Sequence, residues 1–266
     1  MTCSTEPLGI TVLGSGSRGN AMLIHSGDAG ILIDAGFSLR ELRRRLRAAN
    51  LPESIVRGII VSHEHKDHVS GLRVCANHFQ VPVFMTRKCA DVMRRRETGL
   101  GQLSLFAPGG AFSVSSFEIE PFSVSHDAND PVAFVVRQGH YKIGIATDLG
   151  HAGSTVEYKL RQCNTIVLES NHDLNLLAAS QRPWALKQRI MGRHGHLSNV
   201  ACVELLQRVV DSCTKNIILA HISRECNRPD IAEETTRRGL AQIARSDIEL
   251  TIAGQDNPSA TVWNSF

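Results

Sequence analysis

The chain has 266 residues, 42% hydrophobic and 21% charged, with a formal net charge of +3. This composition is ordinary for a soluble globular protein and only mildly favours polyanionic partners. No apolar run approaches the ~20 residues of a membrane-spanning helix, and the N-terminus lacks a secretory signal pattern. The seven cysteines are scattered without a C-x-x-C pair, which argues against a disulfide framework or a thiolate zinc site. We therefore expect a cytoplasmic protein with no membrane partner.

The predicted elements form two similar halves, and each half begins with strands and continues with strands that alternate with helices. In the first half, strands are predicted at residues 9–13, 21–24, 31–34 and 58–61, and helices at 39–46, 69–79 and 86–96. More strands are predicted between residues 103 and 136. In the second half, strands are predicted at 142–146, 165–168, 216–220 and 248–252, and helices at 154–162, 184–191, 199–210 and 231–244. Two sheets packed face to face with helices outside would accommodate this α/β order. We expect a single domain over residues 1–266.

A glycine-rich segment from Gly14 to Gly19 matches G-x-G-x-x-G directly after a strand. The dinucleotide-binding form of this motif requires a helix to follow, so that the helix N-terminus can hold a pyrophosphate. Here the residues that follow read as another strand. The segment is therefore predicted to be a hairpin turn with positive φ angles, close to any metal site.

The segment from His63 to His68 places three histidines and two carboxylates directly after an apolar strand. Three imidazoles this close repel one another when protonated and are costly to bury, and a divalent metal removes both problems. In an extended segment His63, His65 and Asp67 would share one face, and His68 would follow from the next helix. The alternative is a histidine-rich surface loop or tag, but this segment is internal. We predict a dinuclear metallohydrolase.

Further metal ligands are expected at other strand ends, because several strand ends must converge on one site. His126, Asp148 and His221 each follow a strand-like run, and a carboxylate at 148 could bridge two cations. Any one of them alone would fit a core histidine or a helix cap equally well. Their shared context favours ligands. The remaining histidines without such context, His25, His78, His140 and His151, are expected to be surface or packing residues.

Together these residues resemble the metallo-β-lactamase fold superfamily, and more closely its YycJ/WalJ-like subgroup, which is related to tRNase Z-like phosphodiesterases. The resemblance is carried in the expected order by residues 15–20, 33–36, 125–128, 168–173, 195–199 and 221–223. It implies a four-layer αββα sandwich with metals at one edge between the sheets. True β-lactamases are exported and have a cysteine where this chain has Asp148.

The resemblance also assigns metal ligands. One metal would be held by His63, His65 and His126, the second by Asp67, His68 and His221, with Asp148 bridging. Asp34 would orient the histidine segment without binding metal. A water between the cations becomes nucleophilic near neutral pH, and Asp67 would also steer or deprotonate it. Two divalent ions are expected, zinc or manganese, with iron also compatible.

A second pair bears on the type of reaction. By similarity to related phosphodiesterases, His196 would protonate the leaving oxygen, and Glu169 would orient His196 and raise its pKa. Ser198 and Asn199, at the start of a predicted helix, would receive a phosphate oxygen, unless they only cap that helix. The basic residues just upstream are expected to line the phosphate path or to be solvated, namely Lys187, Arg189, Arg193 and His194.

The leading functional prediction is a metal-dependent phosphodiesterase acting on nucleic acid, and the resemblance to the subgroup implies a 5′-directed exonuclease on single-stranded DNA or RNA. The chain has no room for the clamp-domain insertion of longer relatives, and stacking platforms for bases are not evident in the sequence. Alternatives on the same scaffold hydrolyse small cyclic phosphodiesters or, as in glyoxalase II, thioesters; the proposed acid favours phosphodiesters. A flavodiiron-type oxidoreductase would have a glutamate in place of His65 and an added flavin domain. The oligomeric state is left open.

Overall fold

The computed structural model describes residues 6–96 and 99–264 of the chain. In these ranges, fourteen strands form two seven-stranded mixed sheets. The first sheet contains β1 (Leu8–Gly14), β2 (Ala21–Ser26), β3 (Ala29–Ile33), β4 (Val56–Ile60), β5 (Val83–Thr86), β6 (Leu103–Phe106) and β14 (Val262–Asn264). The second contains β7 (Phe112–Val114), β8 (Phe117–Ser123), β9 (Val132–Gln138), β10 (Tyr141–Ala146), β11 (Thr165–Glu169), β12 (Asn216–Ala220) and β13 (Glu249–Ile252).

Each sheet is antiparallel in one part and parallel in the other. The first has the order β14-β1-β2-β3-β4-β5-β6 and is parallel from β3 to β6. The second has the order β13-β12-β11-β10-β9-β8-β7 and is parallel from β10 to β13. Because the carboxyl ends of parallel strands lie at one edge of a sheet, side chains that follow β3, β4, β10, β11 and β12 can meet there.

Helices cover the outer face of both sheets. Those of the first half are α1 (Leu39–Ala48), α2 (Lys66–Val69), α3 (Leu72–Phe79) and α4 (Arg87–Arg96), with a short 3₁₀ turn at Glu53–Ile55. Those of the second half are α5 (Ser154–Leu160), α6 (Leu174–Ala179), α7 (Trp184–Met191), α8 (Asn199–Val209) and α9 (Pro229–Gln242). None of these helices is both long and apolar enough to cross a membrane.

Three apolar cores hold the layers together. The central core lies between the sheets and contains alternate residues of their strands, such as Ile10, Ile31, Phe134 and Ile145. A second core joins the first sheet to α1, α3 and α4, and a third joins the second sheet to α5, α8 and α9. The β-branched and apolar runs bury both faces of their strands, as expected for sheets covered on both sides. The arrangement is the predicted αββα sandwich.

The structure corrects several predicted elements. The helix predicted at 69–79 is two helices, because the Gly71 amide donates to the Ala35 carbonyl and a side chain at Gly71 would overlap the Phe37 carbonyl. Thr86 ends strand β5, so the helix predicted from residue 86 begins at Arg87. Strands β5 and β14 and helix α6 were not predicted. The glycine-rich segment is the predicted hairpin turn between β1 and β2, with Gly16 at φ 140° and Gly19 at φ 148°.

Candidate metal centre and catalytic cleft

Carboxylates and histidines from both sheets meet at one edge of the sandwich. Asp34 follows β3, and Asp148, Glu169 and His221 end or follow the three adjacent strands β10, β11 and β12. Asp34, Asp148 and His221 have left-handed backbones, with φ of 62°, 56° and 54°. Such conformations cost free energy outside glycine and gather at functional sites. They turn the chain abruptly as each strand ends.

Asp67 reaches this edge from a helix, so the prediction that it continues an extended face with His63 and His65 is wrong. It lies in α2, the helix that begins directly after His65. Close backbone packing fixes its position: the Asp67 carbonyl accepts from the Asn20 amide at 2.7 Å. A side chain at Gly36 would overlap that same carbonyl, so the chain there has room only for glycine.

The predicted metal ligands fall into overlapping groups whose donor atoms lie within 4.8 Å of one another. His63, His65 and His126 form one group, and Asp67, His68 and His221 form another. Asp148 joins His63 and His68 in a third group, so its carboxylate lies between the first two. Its Oδ2 atom is 3.3 Å from His68 Nε2, and its Oδ1 atom is 3.4 Å from His221 Nδ1.

Each of the five histidines in these groups has one ring nitrogen held by an oxygen atom. The Nδ1 atoms contact Ser62 Oγ for His63, Asp34 for His68, the Gly195 carbonyl for His126 and Glu169 for His221; His65 uses Nε2, against the Asp127 carbonyl. Because the held nitrogen carries the proton in a neutral ring, the opposite nitrogen is left as a lone-pair donor. This is the tautomer that binds a metal.

Buried polar atoms without partners mark the centre of this arrangement. His63 Nε2, His221 Nε2 and Asp148 Oδ2 are buried and make no hydrogen bond. Buried polar atoms without a hydrogen bond are rare, and these three are donors that a divalent cation would satisfy. A nitrogen and oxygen donor set of this kind suits divalent zinc, manganese or iron. The residues present therefore fit divalent metal ions.

The charges of the site point the same way. Burial, with the neighbouring His68, holds the pKa of His63 well below its usual range, and burial lowers the pKa of His126. Burial opposes charge on His221 too, but Asp148, Asp67 and Glu169 outweigh it and raise its pKa to about 10. The carboxylates thus stabilise positive charge at this site, either a metal cation or, without metal, a protonated histidine.

Asp34 binds the histidine segment rather than the free ligand atoms. Its carboxylate accepts from the Ser62 amide at 2.8 Å, from Ser62 Oγ at 2.8 Å and from His68 Nδ1 at 2.7 Å. Asp34 is buried, and these contacts leave His68 Nε2 directed at Asp67 and Asp148. These contacts are the ones that a residue orienting His68 would make, and the orienting role itself stays a prediction.

His196 and Glu169 form a hydrogen-bonded pair beside the ligand groups. His196 Nδ1 lies 2.7 Å from Glu169 Oε1, and Glu169 is fully buried. Burial acts against the charged imidazole, but Glu169 outweighs it and raises the pKa of His196. The pKa of Glu169 is lowered to about 2: burial acts against its charge, and His196 and His221 overcome that effect. The Leu149 and Leu197 amides donate to its other oxygen at 3.1 and 3.2 Å.

A cavity of about 200 Å³ opens over this site. Its lining combines predicted ligands and His196 with residues from the α6–α7 segment, Arg182, Leu186, Arg189 and Ile190. Arg189 binds the carboxylate of Asp127 at 2.6 Å. Of the four predicted basic residues, Arg189 alone lines this cavity. Lys187 is buried and donates to the Ala178 carbonyl, and Arg193 lines a separate cavity.

Ser198 and Asn199 are placed away from this cavity. Ser198 Oγ caps α8 by accepting from the Ala201 amide at 3.1 Å. The buried Asn199 side chain accepts from Ser170 Oγ at 2.7 Å and from Asn227 at 2.8 Å. These contacts occupy both side chains, so the structure does not support the phosphate-binding role predicted for them.

Sequence reasoning missed several residues that hold the site together. Asn20 donates to Asp67 Oδ2 at 3.2 Å and lies 3.1 Å from His68 Nε2. Asn171 donates to the His221 carbonyl at 2.9 Å, and Glu64 accepts from the Asn129 side chain at 2.6 Å. Asn20 and Asn171 stand in segments that carried the family resemblance, which was the available signal. Glu64 stands inside the histidine segment itself.

The four histidines predicted to lie elsewhere have other surroundings. His25 packs edge-on against Trp263, and His78 pairs with Glu53 at 3.0 Å. His140 is exposed in the turn between β9 and β10. His151 makes an isolated β-bridge with Ser125.

Comparison with known proteins agrees with the geometry. A family model described as a β-lactamase superfamily domain matches residues 30–222. The exodeoxyribonuclease YycJ of Bacillus anthracis is 32% identical over 237 residues, covering 88% of this chain and 90% of that protein. The exodeoxyribonuclease WalJ of Streptococcus pneumoniae is 30% identical over 236 residues, covering 87% and 88%. The solved metallo-β-lactamase fold protein YhfI of Bacillus subtilis superposes with a TM-score of 0.74 at 14% identity, covering 97% and 100%.

The fold and the site define a metal-dependent hydrolase built on an αββα sandwich. The chain belongs to the metallo-β-lactamase superfamily, in its YycJ/WalJ-like subgroup.

Proposed function

We propose that this protein is a dinuclear phosphodiesterase that removes nucleotides from the 5′ end of single-stranded nucleic acid. The observation that carries the proposal is the His196–Glu169 pair, in which His196 lines the same cavity as the ligand groups and Glu169 lies buried behind it. A phosphodiester has a poor alkoxide leaving group and needs an acid beside the departing oxygen, whereas a thiolate leaving group needs little help from an acid. The pair therefore favours phosphodiesters over thioesters.

The two metal ions would be held by the groups described above, with Asp148 between them. When bound, they would supply a water activated near neutral pH and charge stabilisation for the phosphate. Zinc and manganese are the preferred ions for this donor set, with iron compatible. Asp67 lines the cavity, 3.7 Å from His221 Nε2, and would accept the proton of the attacking water.

His196 would act on the opposite side of the reaction. Its Nδ1 proton is held by Glu169, so its Nε2 atom is the one left for the substrate. Once protonated, Nε2 donates to the departing oxygen, and the fully buried carboxylate of Glu169 stabilises the charged imidazole. Arg182 and Arg189 line the same cavity and would bind the anionic phosphate.

The nucleic-acid substrate is supported by the two exodeoxyribonucleases that this chain resembles over most of its length. The cavity places Arg182 and Arg189 beside the ligand groups, where the phosphate of one terminal nucleotide would lie. A cyclic phosphodiester presents the same kind of phosphate to this cavity and is the second candidate. We further propose that residues 1–266 act as one hydrolase domain without a clamp insertion, because both sheets share one central core.

Digestion of end-labelled single- and double-stranded DNA and RNA tests the proposal, with Mn²⁺ or Zn²⁺ present. We expect single strands to be shortened from the 5′ end. The variants His196→Ala and Asp67→Ala should both lose activity by about 10²–10⁴-fold. Metal content should fall in Asp67→Ala and stay near wild type in His196→Ala. The exposed His140→Ala serves as a control.

Bis-p-nitrophenyl phosphate, a cyclic phosphodiester and a glutathione thioester complete the test. Because p-nitrophenolate leaves without an acid, His196→Ala should lose far less activity on that ester than on nucleic acid. Full activity of His196→Ala on nucleic acid would remove the acid role. Turnover of the thioester alone would replace the phosphodiesterase assignment.

A further inference from the structure

An exposed group of three arginines lies around one aspartate beside the active cavity. Arg18 and Arg224 bind the two carboxylate oxygens of Asp256, and Arg18 does so at 2.9 Å. Arg44 donates to the Asp256 carbonyl at 2.9 Å. We call Arg18, Arg44, Arg224 and Asp256 the Asp256 cluster. Their side chains are 47–63% exposed, so the cluster faces solvent.

The cluster carries more positive charge than its own carboxylate can balance. Arg44 also binds Glu41 at 2.8 Å, and Glu41 in turn binds the buried Arg45 at 2.8 Å. Four guanidinium groups therefore share two carboxylates, which leaves an excess of two positive charges. Guanidinium groups present paired N–H donors that match phosphate oxygens. An anion with several phosphates would complete the cluster.

Two segments connect the cluster directly to the active cavity. Arg18 follows Ser17 and Arg224 follows Ser223, and both serines line that cavity. A neighbouring cavity of about 510 Å³ has Arg224 and Asp256 in its lining. The two cavities share Ile222 and Ser223, so a continuous surface runs from His221 to the cluster.

Hydrogen bonds hold this surface in place relative to the metal ligands. The His221 amide donates to Ser15 Oγ at 2.9 Å, at the start of the segment that contains Arg18. The Arg18 amide donates to Gln255 Oε1 at 2.9 Å, next to Asp256. These two hydrogen bonds join the segment that carries Arg18 to the His221 backbone on one side and to the residue next to Asp256 on the other.

We propose that the Asp256 cluster binds the phosphodiester backbone of the single-stranded substrate beyond the terminal nucleotide, with the intervening nucleotides in the neighbouring cavity. This inference rests on the proposed function. Asp256 keeps the guanidinium groups ordered when no substrate is present, and it is the anion with which a backbone phosphate competes. The cluster therefore acts on substrates long enough to reach it and contributes little to shorter ones.

Two variants with opposite expected effects test this proposal. Arg18→Gln/Arg224→Gln removes two phosphate contacts, and Asp256→Asn removes the competing charge. The control Arg237→Gln changes an exposed arginine that pairs with Glu233 on α9 at 2.8 Å. The measurement is KM of the Mn²⁺-loaded enzyme for a thymidine dinucleotide and for a ten-nucleotide oligothymidylate, at salt concentrations from about 50 to 200 mM.

In the double variant, KM for the decamer should rise about tenfold, and several times more than KM for the dinucleotide. The slope of log KM against log salt concentration should decrease by about 1.4 in the double variant, because each phosphate contact on a single strand contributes about 0.7 to that slope. Asp256→Asn should lower the decamer KM about threefold. A decamer KM within twofold of wild type in the double variant, or an equal rise for both lengths, overturns the inference alone. If wild type degrades neither oligonucleotide, the proposed function fails and the inference falls with it.

Discussion

Oε1 of Glu169 lies 2.7 Å from Nδ1 of His196, and the same oxygen lies 2.8 Å from Nδ1 of His221. One buried carboxylate thus orients both the proposed acid and a candidate metal ligand. Each histidine is left with Nε2 directed away from Glu169. Leaving-group protonation by His196 and metal binding by His221 therefore both depend on this one side chain at the end of β11.

The Glu169→Gln variant should change the pH dependence of activity. Glu169 raises the pKa of His196, so the protonated acid persists to higher pH than in an ordinary histidine. Activity should therefore fall as pH rises through that raised pKa. With an uncharged amide at 169 the fall should begin at lower pH, and kcat/KM should drop about 10–100-fold. The measurement is kcat/KM against pH on a nucleotide phosphodiester. If kcat/KM of the variant falls at the same alkaline pH as that of the wild type, the prediction is contradicted.

Metal removal should make the stability of the protein sensitive to alkaline pH. In the metal-free site His221 has a pKa of about 10, raised from 6.5, so its stabilising charge is fully present below 6.5 and is lost as pH rises toward 10. Glu169, with its pKa lowered from 4.5 to about 2, acts oppositely and loses its contribution only in acid. The melting temperature of the metal-free protein should therefore fall by several degrees between pH 6.5 and about pH 10. The conversion is about 2–4 °C for each kcal/mol of lost stability.

The same unfolding series with Zn²⁺ added is the control for that prediction. Bound metal requires neutral histidines, so it replaces the protons that the carboxylates otherwise draw in. The metal-loaded protein should show a much smaller alkaline loss. Equal losses with and without metal would show that these histidines do not carry the effect.

Gly36→Ala should disturb the site without changing any side chain in it. The added methyl group would overlap the Asp67 carbonyl and approach the Asn20 amide at 2.7 Å, both of which are backbone atoms that cannot move independently. We expect a loss of about 1–3 kcal/mol of stability and reduced metal content. Gly153→Ala is the matched control, since a side chain there meets nothing within 4 Å. The comparison is made by denaturant unfolding and metal analysis. Equal behaviour of the two variants would contradict the steric argument.

Asp34→Ala should weaken metal binding although Asp34 provides none of the free donor atoms. The change leaves Ser62 and His68 Nδ1 without their buried acceptor. Metal affinity should fall about 10–100-fold, as for other residues that hold ligand histidines. Asp34→Asn keeps an acceptor and tolerates the left-handed backbone, so it should retain more affinity. Metal titration distinguishes the two; identical affinities would argue against the orienting role.

Much of the fold followed from local patterns. Strands β11 and β12 are short, mostly apolar runs between polar residues, and this pattern predicts a strand without tertiary context. The helix predicted at 69–79 failed for a reason no local pattern carries. Gly71 packs against the backbone of Ala35 and Phe37, which lie more than thirty residues earlier in the chain.

The sequence by itself determined which residue types stand at the strand ends: the segment from His63 to His68, then Asp148, Glu169 and His221. Because these residues follow strands that periodicity predicts, and because the carboxyl ends of parallel strands lie at one edge of a sheet, they meet at that edge whatever the details of packing. Only the tertiary structure decided which ring nitrogen each histidine presents, that Asp67 arrives from a helix, and that Ser198 and Asn199 face away. Those outcomes depend on contacts between residues far apart in the chain, such as Asn20 with Asp67 and Glu169 with both His196 and His221. Periodicity carries no information about such contacts.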